Sequence, residues 1–511
     1  MSRFLLLIVF MIWMSGGARP SPEIDPAGIN PAFHGPAVLI HDLERPATFV
    51  TGYLILVLIT GIYSRRLTRQ MDASNMSRSL RRFNRLMGLA RLAIPAWFFV
   101  GVYWLGWASL VGGMLSRWRL GVDHFDAPGL LVGSLPALVA WMGLWWAQYP
   151  ADICFREQGL LAQLDAGLPI HRPPPLASYL AVNLRLQLLF TVAPVFTLVL
   201  LRDLISAGLA PLGLGEENSA ALQLGISILT AAIVLLFSPE LLIRLLTTEP
   251  MPQSPLRRRL EGVCRRHGIR YRDVLLWRTD HNMGNAAVMG LIPQVRYILM
   301  SDLLLETMTD EQIEAVFAHE VGHIIHRHML WFAVFFGAMM FALVGMSQLL
   351  ETLLQRFAPQ LETMASQSIW ASAFGTLAAG LGCLSVFLFL SRKFERQADV
   401  FAARTMQEEP VPAELALAEP PQTDGSHVGL RGAAVFSSAL HRVAMINCIP
   451  LTAWSWCHGS IAKRIDYLQE LSLDRRRTQE FDQFMSRIRI GLMIALCGFG
   501  VWAMVTLVGQ G

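Results

Sequence analysis

The sequence predicts a mainly α, polytopic membrane protein: about seven to eight transmembrane helices plus a polar α+β domain that two of the spans divide in sequence. Three observations carry this. Of 511 residues, 53% are apolar and only 16% charged, too few charges for a soluble chain of this length. Charge-poor runs of about 20 residues, long enough to cross a bilayer, recur along the chain. The arginines gather in alternate connections, the asymmetry that orients membrane helices.

Taken in order, the apolar run from Leu5 to Met14 follows Arg3 and precedes Ser15-Gly16-Gly17-Ala18. This is the layout of a signal peptide over 1–18, or of an uncleaved signal anchor, and either places 19–46 outside the cytoplasm. Candidate spans follow at 47–63, 92–115, 129–147, 179–201, 222–243, 329–350, 369–390 and 490–508. Between the first two, Arg65, Arg66, Arg69, Arg78, Arg81, Arg82, Arg85 and Arg91 face a single acid, Asp72, so that connection is cytoplasmic. Counting onward, 244–328 and 391–489 share the cytoplasmic side, and their roughly 180 residues suffice for one domain core. The net charge of +4 reads as topology and lipid contact, not nucleic-acid binding, which needs a basic soluble domain. Lys393 and Lys463 are the only lysines, a compositional bias. Cys154, Cys264, Cys383, Cys448, Cys457 and Cys497 form no close pair and read as reduced thiols.

Within the polar domain, 274–279, 285–290 and 296–300 read as strands of a small sheet, where an exposed strand can hold an extended peptide by backbone pairing. A helix then starts at Thr309, with a hydroxyl cap, Gln312 at the capping-box position, and Ile313, Val316 and Phe317 as its buried stripe. Residues 406–432, with four prolines, read as a flexible insertion.

That helix carries His319-Glu-Val-Gly-His-Ile-Ile-His-Arg-His328. Histidines at i and i+4 lie one turn apart on one face, so His319 and His323 can aim two imidazoles at one zinc ion. Glu320, rotated by about 100°, lies beside the ion as the general base. The bare pattern arises by chance in roughly one or two of every hundred chains this long. Gly322 costs about 1 kcal/mol relative to alanine in a helix, which points to a close backbone approach, or else to a tolerated glycine. His326 and His328 read as surface or supporting groups, since further ligands would overcrowd a catalytic site.

Two histidines leave zinc short of a third protein ligand. Glu395, just past the span at 369–390, is the candidate; Asp399, one turn on, can orient a ligand imidazole. The bland reading of both is a solvated acid beside the membrane.

Together these residues resemble the integral-membrane zinc endopeptidases that include the type I CAAX prenyl proteases and HtpX, over about 285–468. Asn285-Ala286 with Gly290 resembles the family's substrate-binding edge strand, and Ala315 to His323 its metal helix. Ser391-Arg392 through Glu395 and Ala398-Asp399 resembles the segment with the third ligand and its support. His458 with Arg464-Ile465 is similar to a downstream histidine and Arg-Ile pair near the catalytic centre. Where the family commonly has prolines after this histidine, Gly459 and Ser460 stand here, so His458 is either a transition-state contact or a structural hydrogen bond. The resemblance implies a gluzincin-like zinc-peptidase domain with one zinc per chain, metal ligands His319, His323 and Glu395, and catalytic Glu320 and His458. Asp399 and Arg464 support them, and Asn285, Ala286 and Gly290 bind substrate. Seven spans before the C-terminal region resemble the prenyl-protease branch with its intramembrane chamber, the span at 490–508 being extra; Glu240, near the cytoplasmic end of its span, and Arg185 are then either candidate chamber residues or snorkelling groups.

The functional expectation is a zinc metalloendopeptidase of a bacterial inner membrane, its site on the cytoplasmic face. It would cleave peptides or membrane proteins, with the bilayer as its other partner and no nucleic acid. Membrane-protein quality control leads over processing of a specific CAAX-like peptide. A metal-binding membrane protein without peptidase activity would need ionisable groups deep in several spans to form an ion path, and apart from Arg185 and Glu240 the spans lack them.

Overall fold

The computed structural model describes residues 2–16, 36–71, 76–117, 126–165, 167, 172–209, 220–357, 369–407 and 427–508. The chain divides into two compact units, Met1–Asp165 with Arg172–Leu246, and Ala166–His171 with Thr247–Gly511. All six cysteines are free.

The first unit is helical: α1 (Ser2–Gly16), α2 (Pro36–Arg69), α3 (Met76–Tyr103), α4 (Trp107–Arg117), α5 (Asp126–Asp165), α6 (Leu176–Asn183), a π-helical turn Leu184–Leu189, α7 (Phe190–Leu209) and α8 (Ala220–Leu245). Helices satisfy every backbone group internally, which apolar surroundings require. The short α1 packs into the core of this unit, where Leu6, Val9 and Trp13 join Phe49, Phe98 and Trp141. Gly133 makes room for it, since a Cβ there would come within 2.4 Å of the Trp13 ring. At the N-terminus of α5, Asp203 accepts the Ala127 amide at 2.8 Å, satisfying one of that helix's free N–H groups.

The span expected at 92–115 is corrected. The chain breaks after Tyr103, Gly106 adopts φ +67°, and α4 begins at Trp107. The apolar helix long enough to cross is Arg78–Tyr103; it starts in the arginine-rich connection, so hydropathy alone misplaces it. Among the described residues six helices are long and apolar enough to span a bilayer.

The second unit holds the sheet, with strands β1 (Thr248–Pro250), β2 (Asp273–Trp277), β3 (Ala286–Met289) and β4 (Tyr297–Ser301) in the order β1-β2-β4-β3. β2 and β4 run parallel with Leu275 opposite Leu299, and β3 pairs antiparallel to β4 with Val288 opposite Ile298. The three expected strands form within a residue or two of their predicted limits; β1 is too short to show periodicity. β3 is an edge strand. Gly290 ends it at φ +102°, where a Cβ would lie 2.1 Å from the Val295 carbonyl oxygen, so only glycine fits.

The helices of this unit are α9 (Pro255–Arg266), α10 (Asp302–Thr307), α11 (Asp310–Ile325), α12 (His328–Phe357), α13 (Ile369–Gln407), α14 (Leu430–Ile446), α15 (Ile461–Leu473) and α16 (Arg475–Val508). α11 opens with the expected capping box: the Gln312 amide donates to Thr309 Oγ1 and the Thr309 amide to Gln312 Oε1, both at 3.3 Å. Buried Glu314 ties α11 to α9 through Arg259 at 2.9 Å and Arg266 at 3.2 Å. α12 leaves α11 at a 44° bend; the pair adds a seventh candidate crossing if taken as one span. α13 continues unbroken from the expected span at 369–390 into the polar region. The expected insertion at 406–432 is narrower: Met406 and Gln407 close α13, 430–432 open α14, and 408–426 lie outside the described residues. The core combines Ile298, Met300, Ile313, Phe317, Phe394 and Phe436.

Candidate active site

The site forms where α11 crosses α13. Gly322 is the contact point, since a Cβ there would meet Ala398 Cα and the Phe401 ring at 3.1 Å. The missing side chain therefore lets the helix bearing His319 and His323 lie against the helix bearing Glu395. Each of these three residues offers a ligand atom, all within 4.8 Å of one another. His319 Nε2 and His323 Nε2 are 3.3 Å apart. Glu395 Oε2 lies 3.6 Å from the first and Oε1 3.8 Å from the second.

A tetrahedral ion with bonds of about 2.0–2.1 Å to nitrogen holds its ligand atoms roughly 3.3 Å apart, close to these three separations. The donor set fits a metal for a second reason. Asp399 Oδ1 stands 3.0 Å from His319 Nδ1, close although off the ideal donor line, and favours the proton on that nitrogen. The Nε2 lone pair then points inward at a second lone pair and a carboxylate, so a cation or a proton belongs between them. Phe436 stacks on the His319 ring at 5.6 Å and 16°, fixing its plane.

Arg464 grips Asp399 with two bonds, Nε to Oδ2 at 2.8 Å and a terminal nitrogen to Oδ1 at 2.5 Å. A chain of contacts thus runs from Arg464 through Asp399 to His319. His458 Nδ1 lies 2.9 Å from Glu395 Oε2, with its side chain 55% exposed. The turn holding it forms without prolines: Gly459 adopts φ +76°, pairs with Ser455, and Ser460 caps α15 through the Lys463 amide.

Burial opposes charge on His319, but the neighbouring carboxylates of Asp399 and Glu395 outweigh it and push its pKa up to about 10. Burial pulls His323 down to about 4. Glu395 is likewise penalised by burial, yet His458 and His319 hold its carboxyl well below the usual range. Glu320 moves the other way, raised chiefly by burial, toward a value suited to taking up a proton.

Glu320 also meets the edge strand, accepting a hydrogen bond from the Val288 backbone. Strand alternation then puts the backbone groups of Ala286 and Val288 on the open side. Asn285 faces the other way: its amide donates to Ser301 Oγ at 2.8 Å and its carbonyl accepts from the Ser301 amide at 2.9 Å. Its exposed side chain is what Asn285 has left for a ligand. Gly290 shapes the strand's end through its φ.

The structure therefore brings His319, Glu320, His323, Glu395, Asp399, His458 and Arg464 into one centre beside the 286–289 edge. It also brings in His328, one of the two histidines read as surface or supporting groups, and adds Gln397. His328 Nδ1 lies 2.8 Å from His323 Nδ1, and its Nε2 lies 3.0 Å from Gln397 Oε1. In a continuous helix His328 would sit about 140° around from His323, so helical spacing hides the contact. The chain instead turns at Arg327, which adopts φ +54°. His326, on nearly the same helical side as His323, stacks on His328 at 5.7 Å instead.

Residues 250–472 match the model of peptidase family M48. A 107-residue stretch is 34% identical to a protease HtpX homolog of Aeropyrum pernix, covering 20% of this chain; the chain spans 33% of the length of that curated relative. The crystal structure of S. mikatae Ste24p aligns over 84% of this chain and 98% of its own, with a TM-score of 0.46 and 14% identity. All the groups of the centre lie inside the stretch that matches the peptidase family M48 model.

Proposed function

We propose that this chain is a zinc-dependent, membrane-embedded endopeptidase. The convergence of His319, His323 and Glu395 beside Glu320 and an open strand edge carries the reading. His319, His323 and Glu395 hold one zinc, which when bound supplies polarisation of the scissile carbonyl and activation of water. The peptide pairs with the backbone of Ala286 and the carbonyl of Val288 as an added strand, and the Asn285 side chain contacts it at the rim. Glu320 takes the proton of the attacking water and passes it to the leaving amine. His458 anchors Glu395 and turns its exposed ring edge toward the charge developing on the carbonyl oxygen. Arg464 and Asp399 keep His319 oriented.

Substrates are membrane-associated proteins cut at the cytoplasmic face of a bacterial inner membrane. Support comes from position: Glu395 follows the expected span at 369–390 by five residues, about 7.5 Å of helix, and His323 precedes that at 329–350 by six residues. Quality control is the leading role and processing of a lipidated CAAX-like peptide the alternative. A proteomic comparison of cells carrying the unsubstituted chain and Glu320→Gln separates them: many accumulating membrane proteins support the first, one or two small precursors the second.

A further inference from the structure

Neither the ligand set nor the Asp399–Arg464 pair accounts for a second chain of contacts on the opposite side of the centre. Gln397 Oε1 is an acceptor, so the atom facing it, His328 Nε2, must carry a hydrogen. A neutral His328 then has a bare Nδ1. That bare nitrogen sits 2.8 Å from His323 Nδ1, so the hydrogen between the two rings belongs to His323. With its proton on Nδ1, His323 has its lone pair on Nε2, the atom that faces His319 and Glu395. Two rings thus transmit the choice of acceptor at Gln397 to the metal face.

The surroundings hold this arrangement in place. His328 is 1% exposed and stacks on Phe394 at 4.5 Å and 6°, so its ring can neither tilt nor take another partner from solvent. The left-handed backbone at Arg327, sparsely populated for a non-glycine residue, is what folds His328 back under His323.

We infer that His328 is a positioning residue for the metal ligand His323, fixing its tautomer through the bond that Gln397 imposes. The inference rests on the zinc-peptidase reading. It gives His323 the support that Asp399 gives His319, with neutral groups in place of an ion pair. Supporting groups of this kind are typically worth 10- to 100-fold in metal affinity.

The test is zinc affinity of the full chain in detergent, measured by competition with a chromophoric chelator after stripping the metal, with thermal unfolding of the stripped protein as a check on folding. Asparagine places its Oδ1 where the histidine Nδ1 was, keeping an acceptor without the ring. His328→Asn should stay within about threefold of the unsubstituted chain, and His328→Leu should lose about 10- to 100-fold. Gln397→Leu, a second and milder perturbation, should weaken zinc in the same direction. Unchanged affinity in both leucine variants overturns the inference and leaves the zinc reading intact. Equal losses in His328→Asn and His328→Leu also overturn it, since ring stacking would then be what matters. If the unsubstituted chain holds no zinc, both readings fail together.

Discussion

Gly322→Ala should separate stability from function. On an isolated helix the change gains about 1 kcal/mol in propensity. Here the new Cβ would lie 3.1 Å from Ala398 Cα and the Phe401 ring and 3.3 Å from Phe401 Cβ, against about 3.5–4.0 Å for an unstrained carbon contact. One of these neighbours is backbone, so α11 and α13 must part by about 0.4–0.5 Å. The 3.3 Å separation between the two histidines lies within α11 and is unaffected. The 3.6 and 3.8 Å separations to Glu395 cross the interface and lengthen. If a 1 Å misplacement costs about 100-fold, this displacement costs roughly 5- to 10-fold in turnover, while overpacking of about 1–3 kcal/mol offsets the propensity gain. Gly262 in α9 is the control, because its added Cβ meets only the tip of Arg265 at 3.9 Å; Gly262→Ala should raise the melting temperature and leave turnover alone. The assay is cleavage of a fluorogenic peptide or membrane-protein reporter alongside thermal unfolding in detergent. Unchanged turnover in Gly322→Ala would refute the idea that this crossing sets the ligand geometry.

Zinc binding should release about one proton between pH 6 and 8, because His319, raised to about 10 without metal, must shed its proton to ligate. Calorimetry in buffers of different ionisation heat reads this number directly, and a value near zero contradicts the pairing with Asp399 and Glu395. The sign for stability follows: the metal-free chain has the full benefit of the His319 proton below about pH 6.5 and loses it as pH rises toward 10, so stabilisation by zinc should grow from pH 6 to pH 8. Arg464→Met strands the buried Asp399, its bidentate partner, and should destabilise the domain by about 3–5 kcal/mol; a melting temperature within a degree or two of the parent would count against the ion pair. Since burial raises Glu320, the acid limb of kcat/KM should lie above the ordinary carboxylate range, and a limb near pH 4 would point to a different base.

What the sequence revealed follows the range of its signals. His319, Glu320 and His323 share one helical turn, and Glu395 with Asp399 share another, so fixed periodicity placed each group before any tertiary contact was known. That α11 and α13 meet was foreshadowed by Gly322, although the partner it admits, Ala398, lies 76 residues away. Periodicity failed where the backbone departs from regular geometry. The left-handed turn at Arg327 brings His328 to His323 against helical spacing, and Gly106 cuts a run that hydropathy reads as continuous. The strand at 285–290 was legible from its residues. Which of its backbone groups stay open was not, because that depends on the pairing of Asn285 with Ser301 across the sheet.

The proposed division of labour gives Glu320 the proton and gives His319, His323 and Glu395 the metal. It is tested most directly by measuring bound zinc and reporter cleavage on the same preparation of Glu320→Gln. We expect close to one zinc per chain, as in the unsubstituted protein, with cleavage down by about 100- to 10,000-fold. Full zinc with undiminished cleavage would contradict it.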